Sequence, residues 1–376
     1  MPIKCEDLHA ALLERHFALP VGTLSAGCRV ATMLTAQLFA MVGVRPALSA
    51  PAVLARLLAA GLLDSASVER PVVVGDGHVH ADLLPEDAEL FAAVLHAEGQ
   101  AGPVAVAEAA QACRLAVTPY QPAGLVAQRT LADPGIPRAK DAAACRSSRP
   151  PVIIDMTTMW AGPLCTDLLE QLGAVVIRIE PACRPDGLRG APQLYKSLHR
   201  NDHVVDLDLR TAGGRARFDR LLHHADLLVE SFSERVLPNL GYGPEKLDAL
   251  NQRLGHLAIR AFPAHSHRKR WVAYGGGVHA ASGLGWVAGR PTPAAFAYLD
   301  PLTGLRAAET ALSMLSATGD HRRATVSLAG SAALLRADPI DDVPGSGPDI
   351  QMRTDDLELL RRSVSEPLWD GGFALW

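Results

Sequence analysis

The chain has 376 residues, 48% of them hydrophobic and 20% charged, with a formal net charge of −4. That balance describes a folded globular protein rather than a disordered one, and it speaks against a general binder of nucleic acid or of membrane surfaces. The length favours two domains over one core. No apolar run reaches the roughly 18–20 residues of a membrane helix. The opening "MPIKCEDLHAALLERHF" carries acids and no signal-peptide core, so the expected location is cytoplasmic. The cysteines at 5, 28, 113, 145, 165 and 183 form no Cys-x-x-Cys pair and read as reduced thiols.

Residues 1–63 have helix-like apolar spacing in "LHAALLER", "RVATMLTAQLFAMV" and "PAVLARLLAAGLL". "PVVVGDGHVHADLL" reads as two short strands around Gly75-Asp76-Gly77. A helix from about Pro85 to His96, a second over "VAVAEAAQACRLA" and an extended "VTPYQP" make this part α+β. Residues 1–130 are therefore expected to form an N-terminal domain. Residues 131–151, rich in proline and charge and without periodicity, are expected to be a linker.

From Val152 the pattern changes. "VIIDM", "AVVIRIE", "HVVDLDL", "DLLVESF" and "HLAIRAF" read as strands. The helices "GPLCTDLLEQLG", "AGGRARFDRLLHHA" and "GPEKLDALNQRL" alternate with them, and a long helix is predicted over 300–318. Such alternation predicts βαβ units in an α/β fold. The expected architecture is an open, mainly parallel, Rossmann-like sheet with helices on both faces, plus the smaller α+β domain. The core is expected over 152–336 and a polar tail over 337–376. There is no P-loop, and "MWAGP" in the first turn is not a nicotinamide fingerprint.

The ordered series "VIIDMTTMWAGPLCTDLLEQLGAVVIRIEP", "DLDLRTAGGRARFDRLLHHADLLVESF", "AASGLGW", "YLDPLTGL" and "GDHRRATVSLAGSAALL" resembles the class III (formyl-CoA transferase-like, CaiB/BaiF) CoA-transferases. The resemblance implies an acyl-CoA:carboxylate CoA-transferase. In that chemistry an aspartate attacks the acyl-CoA thioester and passes through an aspartyl anhydride and an aspartyl-CoA thioester. A poorly solvated, ionised carboxylate suits this role. The register of the resemblance gives it to Asp300, at the start of a long helix; read locally, Asp300 before Pro301 is equally a helix N-cap. Tyr274 falls where formyl-CoA transferase-like members have a tyrosine near the thioester, or it is a tyrosine packed at a domain edge. Gly275-Gly276-Gly277 either lets backbone approach a ligand or is a turn. The resemblance also implies CoA contacts from Met159, Trp160, Ala161, Leu207, Leu209, Arg210, Ser231 and Phe232, with Arg210 on a phosphate. Coenzyme A, brought as acyl-CoA, and a carboxylic acid acceptor are the implied substrates. A homodimer, of the interlocked kind the family forms, is the assembly the resemblance implies, and no metal is expected.

Two departures stand out. Asp202 and His203 occupy positions where the family carries positive charge, with Arg184, Arg189, Lys196, Arg200 or the run 267–270 as candidate compensation. The family continues well beyond "VSL", whereas "DGHVHADLLPEDAELFAAVL" and "AQACRLAVTPYQPAGLVAQRTLADPGI" faintly resemble its late segments, as in a circular permutation joined near 131–151. An unrelated N-terminal domain on a shortened core is the plain alternative. His78 and His80, alternating on one strand with Asp82 beside them, lack a visible fourth metal ligand. Two further readings stay open: a dehydratase or lyase acting on an acyl thioester, and an inactive binding protein on the same scaffold.

Overall fold

The computed structural model describes residues 71–133, 149–199, 203–294, 297–316 and 322–337. The helices expected within 1–63, most of the linker, Asp202 and the tail beyond Ala337 lie outside the described residues.

The larger unit is a six-stranded sheet in the order β11-β8-β7-β4-β5-β6, every pair parallel. Its strands are β4 (Val152–Met156), β5 (Val175–Ile179), β6 (His203–Val205), β7 (Leu227–Glu230), β8 (Gly255–Arg260) and β11 (Arg323–Ser327). The apolar runs at Ile153–Ile154 and Leu227–Val229 are buried on both faces, which is what a parallel sheet covered by helices requires. Chain order runs outward from β4 in both directions, so the switch point lies between β4 and β7. In open α/β sheets ligands bind beyond the strand C-termini at that point.

Helices α3 (Ala161–Gln171), α8 (Leu299–Ser316) and α9 (Leu328–Ala337) pack on one face, where the largest apolar cluster sits. On the other face α5 (Ala212–His224) and α6 (Pro244–Leu250) enclose a second cluster around Phe218, Leu222 and Tyr242. Helix α4 (Pro192–Leu198) lies between β5 and β6 in sequence. Only Glu309 and Leu315 of α8 fall short of full burial. Helix α8 can come so close to α3 because of Gly304: a Cβ there would sit 2.8 Å from the Ala161 carbonyl oxygen and from Leu164 Cδ2. Helix α7 (Gly275–Ala281) and a small ribbon (β9, Trp286–Val287; β10, Arg290–Pro291) precede α8. Among the described residues no helix is long and apolar enough to cross a membrane.

Two elements are shorter than the sequence predicts, each because a polar side chain intervenes. Strand β6 stops at Val205; beyond it the Asp208 carboxylate accepts from the Arg210 amide (2.9 Å) and its carbonyl from the Thr211 amide (3.1 Å), a local turn that competes with the ladder. Helix α6 stops at Leu250. Asn251 then turns its side chain to donate to the carbonyls of Leu222 (3.0 Å) and Ala225 (2.8 Å) at the end of α5.

Residues 71–133 form the predicted α+β unit: hairpin β1 (Val72–Val74) and β2 (Gly77–Asp82), helices α1 (Ala88–Glu98) and α2 (Pro103–Ala112), and β3 (Ala116–Pro119) antiparallel to β2. The unit docks on the core through polar contacts. The Gln111 amide exchanges two hydrogen bonds with the Val272 backbone, both 2.7 Å. Thr118 Oγ1 donates to the Gly277 carbonyl at 2.8 Å. The buried Asp133 carboxylate accepts from Ser327 N (3.0 Å) and Oγ (2.6 Å) and pairs with Arg306 at 3.0 Å. Burial raises its pKa, and Arg306 and Ser327 hold the rise in check. Asp133→Ala leaves the Arg306 guanidinium buried without that partner. It is expected to lower stability by about 3–5 kcal/mol in chemical denaturation.

Candidate functional site

An open cleft lies beyond the C-terminal ends of the central strands. Its wall includes Thr158 and Met159 after β4, Ser231 and Phe232 after β7, Arg260 and Ala261 at the end of β8, and Tyr274 and Asp300 opposite. It therefore occupies the switch point that the strand order predicts.

The turn after β4 is held by three side chains from three places. The amide of Thr157 donates to Asp155 Oδ1 (2.7 Å), that of Thr158 to Ser231 Oγ (3.0 Å) and that of Met159 to Asp186 Oδ1 (2.9 Å). Met159 takes φ 69, an uncommon region for a residue with a Cβ, and the Asp186 bond helps to fix it there. Asp155 and Asp186 are held in turn by Arg178, which is fully buried and also bonds Glu180. Burial alone would lower the Arg178 pKa, yet the three acids raise it. Burial likewise acts to raise Glu180, but bonds from Arg189, the Asp186 amide and Arg178 bring it down to about 2. Each charge in this network has a partner, so it can stay ionised out of water. Because side chains take its amides, the turn serves as a shaped wall and not as a set of free donors.

Asp300 is the second residue of α8 and only 8% exposed. Its Oδ2 is buried without a hydrogen-bond partner. That oxygen lies against Gly275, where any Cβ would overlap it. The triple glycine is thus neither a free loop nor a plain turn. It opens α7 and leaves the space that the carboxylate enters. The start of α8 is tied to α7 by His279. Nε2 of this ring faces the Thr292 carbonyl (3.0 Å) and so carries the hydrogen; Nδ1 then accepts from Tyr298 OH at 2.6 Å. Burial drives the His279 pKa down to about 4, which keeps the ring neutral for this role.

Burial raises the Asp300 pKa to about 7, and the nearby Asp82 carboxylate adds to the rise. The helix N-terminus favours the anion, but desolvation and a like charge outweigh it. Tyr274 is 44% exposed at the cleft. Its pKa is raised by burial of the ring's inner side and by Asp82, with Arg184 opposing.

The other predicted residues divide. Met159, Ala161, Ser231 and Phe232 line the cleft with Tyr274 and Asp300. Trp160 is buried in the main core with no hydrogen-bond partner for its Nε1, and it fills space beneath the turn. Leu207 and Leu209 are buried in the second core. Arg210 is not brought to the cleft: its side chain is 69% exposed and forks onto Asp208 at 2.8–3.1 Å. Three other cations reach the cleft. Arg260 is bound by Glu230, and Lys269 pairs with Glu234 at 3.2 Å. Arg184 has no carboxylate partner among the described residues. His80 and Asp82 pair at 3.0 Å, and among the described residues no three His, Cys, Asp or Glu side chains gather as a metal site.

Residues 151–355 match the model of CoA-transferase family III. Over 159 residues the chain is 31% identical to the succinyl-CoA–D-citramalate CoA-transferase of Chloroflexus aurantiacus, covering 39% of this chain and 40% of that one. It is 30% identical to the formyl-CoA:oxalate CoA-transferase of Escherichia coli O6:H1 over 191 residues, 47% and 46% of the two chains. The chain thus spans less than half the length of these curated relatives. Similar solved structures include a hypothetical protein of Mycobacterium tuberculosis (TM-score 0.47, 24% identity, 55% of this chain and 58% of that one). Another is a CaiB/BaiF family protein of Brucella suis (TM-score 0.44, 22% identity, 49% and 53%).

The raised pKa fixes the sign of a stability test. An Asp whose pKa rises on folding binds its proton more tightly in the native state, so its contribution is present at low pH and lost as pH climbs through about 7. Asp300→Asn is expected to raise Tm at pH 8 relative to the wild type, by the equivalent of roughly 1–4 kcal/mol, with the gap closing toward pH 4. Calorimetry across that range checks it.

Proposed function

The chain belongs to CoA-transferase family III, and on that premise we propose that it transfers CoA from an acyl-CoA to a carboxylic acid, with Asp300 as nucleophile. The observation that carries this is the buried, unpartnered Asp300 oxygen in the wall of a cleft at the switch point. The relatives' names give succinyl-CoA and formyl-CoA as donor types to try first.

In this reading the Asp300 carboxylate oxygen attacks the thioester carbonyl. The C–S bond breaks and its electron pair leaves with the CoA thiolate, giving a mixed anhydride. The thiolate returns to the aspartyl carbonyl, expels the donor acid and leaves an aspartyl-CoA thioester. The acceptor carboxylate then repeats the two exchanges in reverse and restores Asp300. No net proton moves. A site that excludes water protects both intermediates, and the burial of Asp300 supports this. Met159 and Ala161, on the shaped turn, and Ser231 and Phe232 would hold the thioester end of CoA, with Tyr274 beside it. The phosphate role expected of Arg210 passes to Arg184, the cleft cation without a carboxylate partner. The same reading takes 71–133 as the permuted counterpart of the family's late segments, supported by its docking against α7 and α8. It also keeps the homodimer and the cytoplasmic setting.

The proton that Asp300 holds near neutrality is what a dehydratase or lyase would use, and this favours that second reading on the same residues. Product released from an acyl-CoA with no acceptor acid present would support it.

Intact-mass analysis of the protein mixed with acyl-CoAs, with hydroxylamine as trap, tests the leading reading. The expected result is an adduct mapped to Asp300 and absent in Asp300→Ala. Its rate should rise with pH through about 7, because the anion is the nucleophile. No adduct with any donor, together with no CoA binding by calorimetry, defeats it. Arg184→Met is expected to raise KM for the donor about tenfold with kcat little changed, the signature of lost uniform binding.

A further inference from the structure

The proposed chemistry makes no use of the pair at the end of β2, yet that pair stands beside its nucleophile. Strand β2 alternates His78, His80 and Asp82, and His80 is almost wholly buried. His80 Nε2 meets Asp82 Oδ1 at 3.0 Å, which fixes the carboxylate's orientation. The other oxygen, Oδ2, points to α7 and stands 3.5 Å from where a Cβ of Gly277 would be. One turn of small residues therefore accommodates two carboxylates, Asp300 against Gly275 and Asp82 against Gly277. Thr118, on the neighbouring strand, clamps the same turn through the Gly277 carbonyl at 2.8 Å.

We infer that Asp82, oriented by His80, is a positioning residue of the Asp300 site whose negative charge favours the uncharged, acylated form of Asp300 over the free carboxylate. This rests on the CoA-transfer reading. When Asp300 is acylated, one C–O bond forms and one C–S bond breaks, and the negative charge passes from the aspartate to the thiolate with no proton transfer. A fixed like charge beside the aspartate is relieved by that movement. The shifts of Asp300 and Tyr274 agree, since Asp82 pushes both upward. The remaining charged groups at the cleft are Arg184 and the ion pairs Arg260–Glu230 and Lys269–Glu234. The neutral His279 ring packs behind α7.

Asp82→Asn keeps an oxygen for His80 and removes the charge; Asp82→Glu restores the charge. The full chain, labelled with ¹³C-aspartate and assigned against Asp300→Asn, would be titrated by NMR without substrate. In parallel, the fraction of Asp300 carrying an adduct would be read by mass at pH 8 with succinyl-CoA and with formyl-CoA. The expected outcome for Asp82→Asn is an Asp300 midpoint lower by one pH unit or more and an adduct fraction down about tenfold. Asp82→Glu should recover most of both. An unchanged midpoint in folded Asp82→Asn, or a moved midpoint with an unchanged adduct fraction, overturns the inference. If the midpoint moves but no donor marks the wild-type protein, the pairing of carboxylates stands and the transferase reading falls. Should Asp82→Asn not fold, Asp82→Ser is read by the same criteria.

Discussion

The structure around the cleft depends on one carboxylate oxygen being placed where it has no hydrogen-bond partner and almost no water. A shift of the Asp300 pKa from 3.8 to about 7 corresponds to a cost of about 4 kcal/mol for the ionised form. Nothing local requires this. Several neighbouring features impose it together: Gly304 lets α8 close on α3, Gly275 has no Cβ to push the carboxylate away, and the His279–Tyr298 bond fixes where α8 begins. A merely structural helix start would satisfy its aspartate with the first-turn amides. Asp300 leaves one oxygen for something else.

The opposite wall follows the contrary rule. Arg178, Asp155, Glu180 and Asp186 are also out of water, but each is paired. That network spends its electrostatics on geometry: it holds the amides of Thr157 and Met159, the second of these at positive φ. One side of the cleft therefore pairs its buried charges, and the other leaves the Asp300 oxygen without a hydrogen-bond partner.

The parallel sheet was legible because buried parallel strands read as unbroken apolar runs, as at Ile153–Ile154 and Leu227–Val229. Asp300 was legible only through its register with a family, since Asp-Pro at a helix start has an ordinary local explanation. The glycine run was ambiguous for a physical reason. Glycine is a poor helix former, and α7 is held from outside by Thr118, at the Gly277 carbonyl, and by Tyr298, through the helix's own His279. Arg210 was expected at the site through the family resemblance, and local chemistry decided its placement: Asp208, two residues away, turned the chain and took the guanidinium. Asp82 carried a visible signal in the alternation of His78, His80 and Asp82. That pattern names residues on one face of a strand and says nothing about what the face meets after the chain has folded.

The docking of 71–133 bears on whether this unit is an appendage. An unrelated domain resting on a finished core would meet it at sites of no consequence to the cleft. Here the unit reaches the segment before α7 through Gln111, the first turn of α7 through Thr118 and the start of α9 through Asp133 and Ser327. It also places the Asp82 carboxylate near Asp300. Two of these contacts therefore fall on the segment and helix that carry Tyr274 and Gly275, and the Asp133–Arg306 pair reaches α8, which carries Asp300. The unit therefore supports the cleft wall as well as enclosing its own small core.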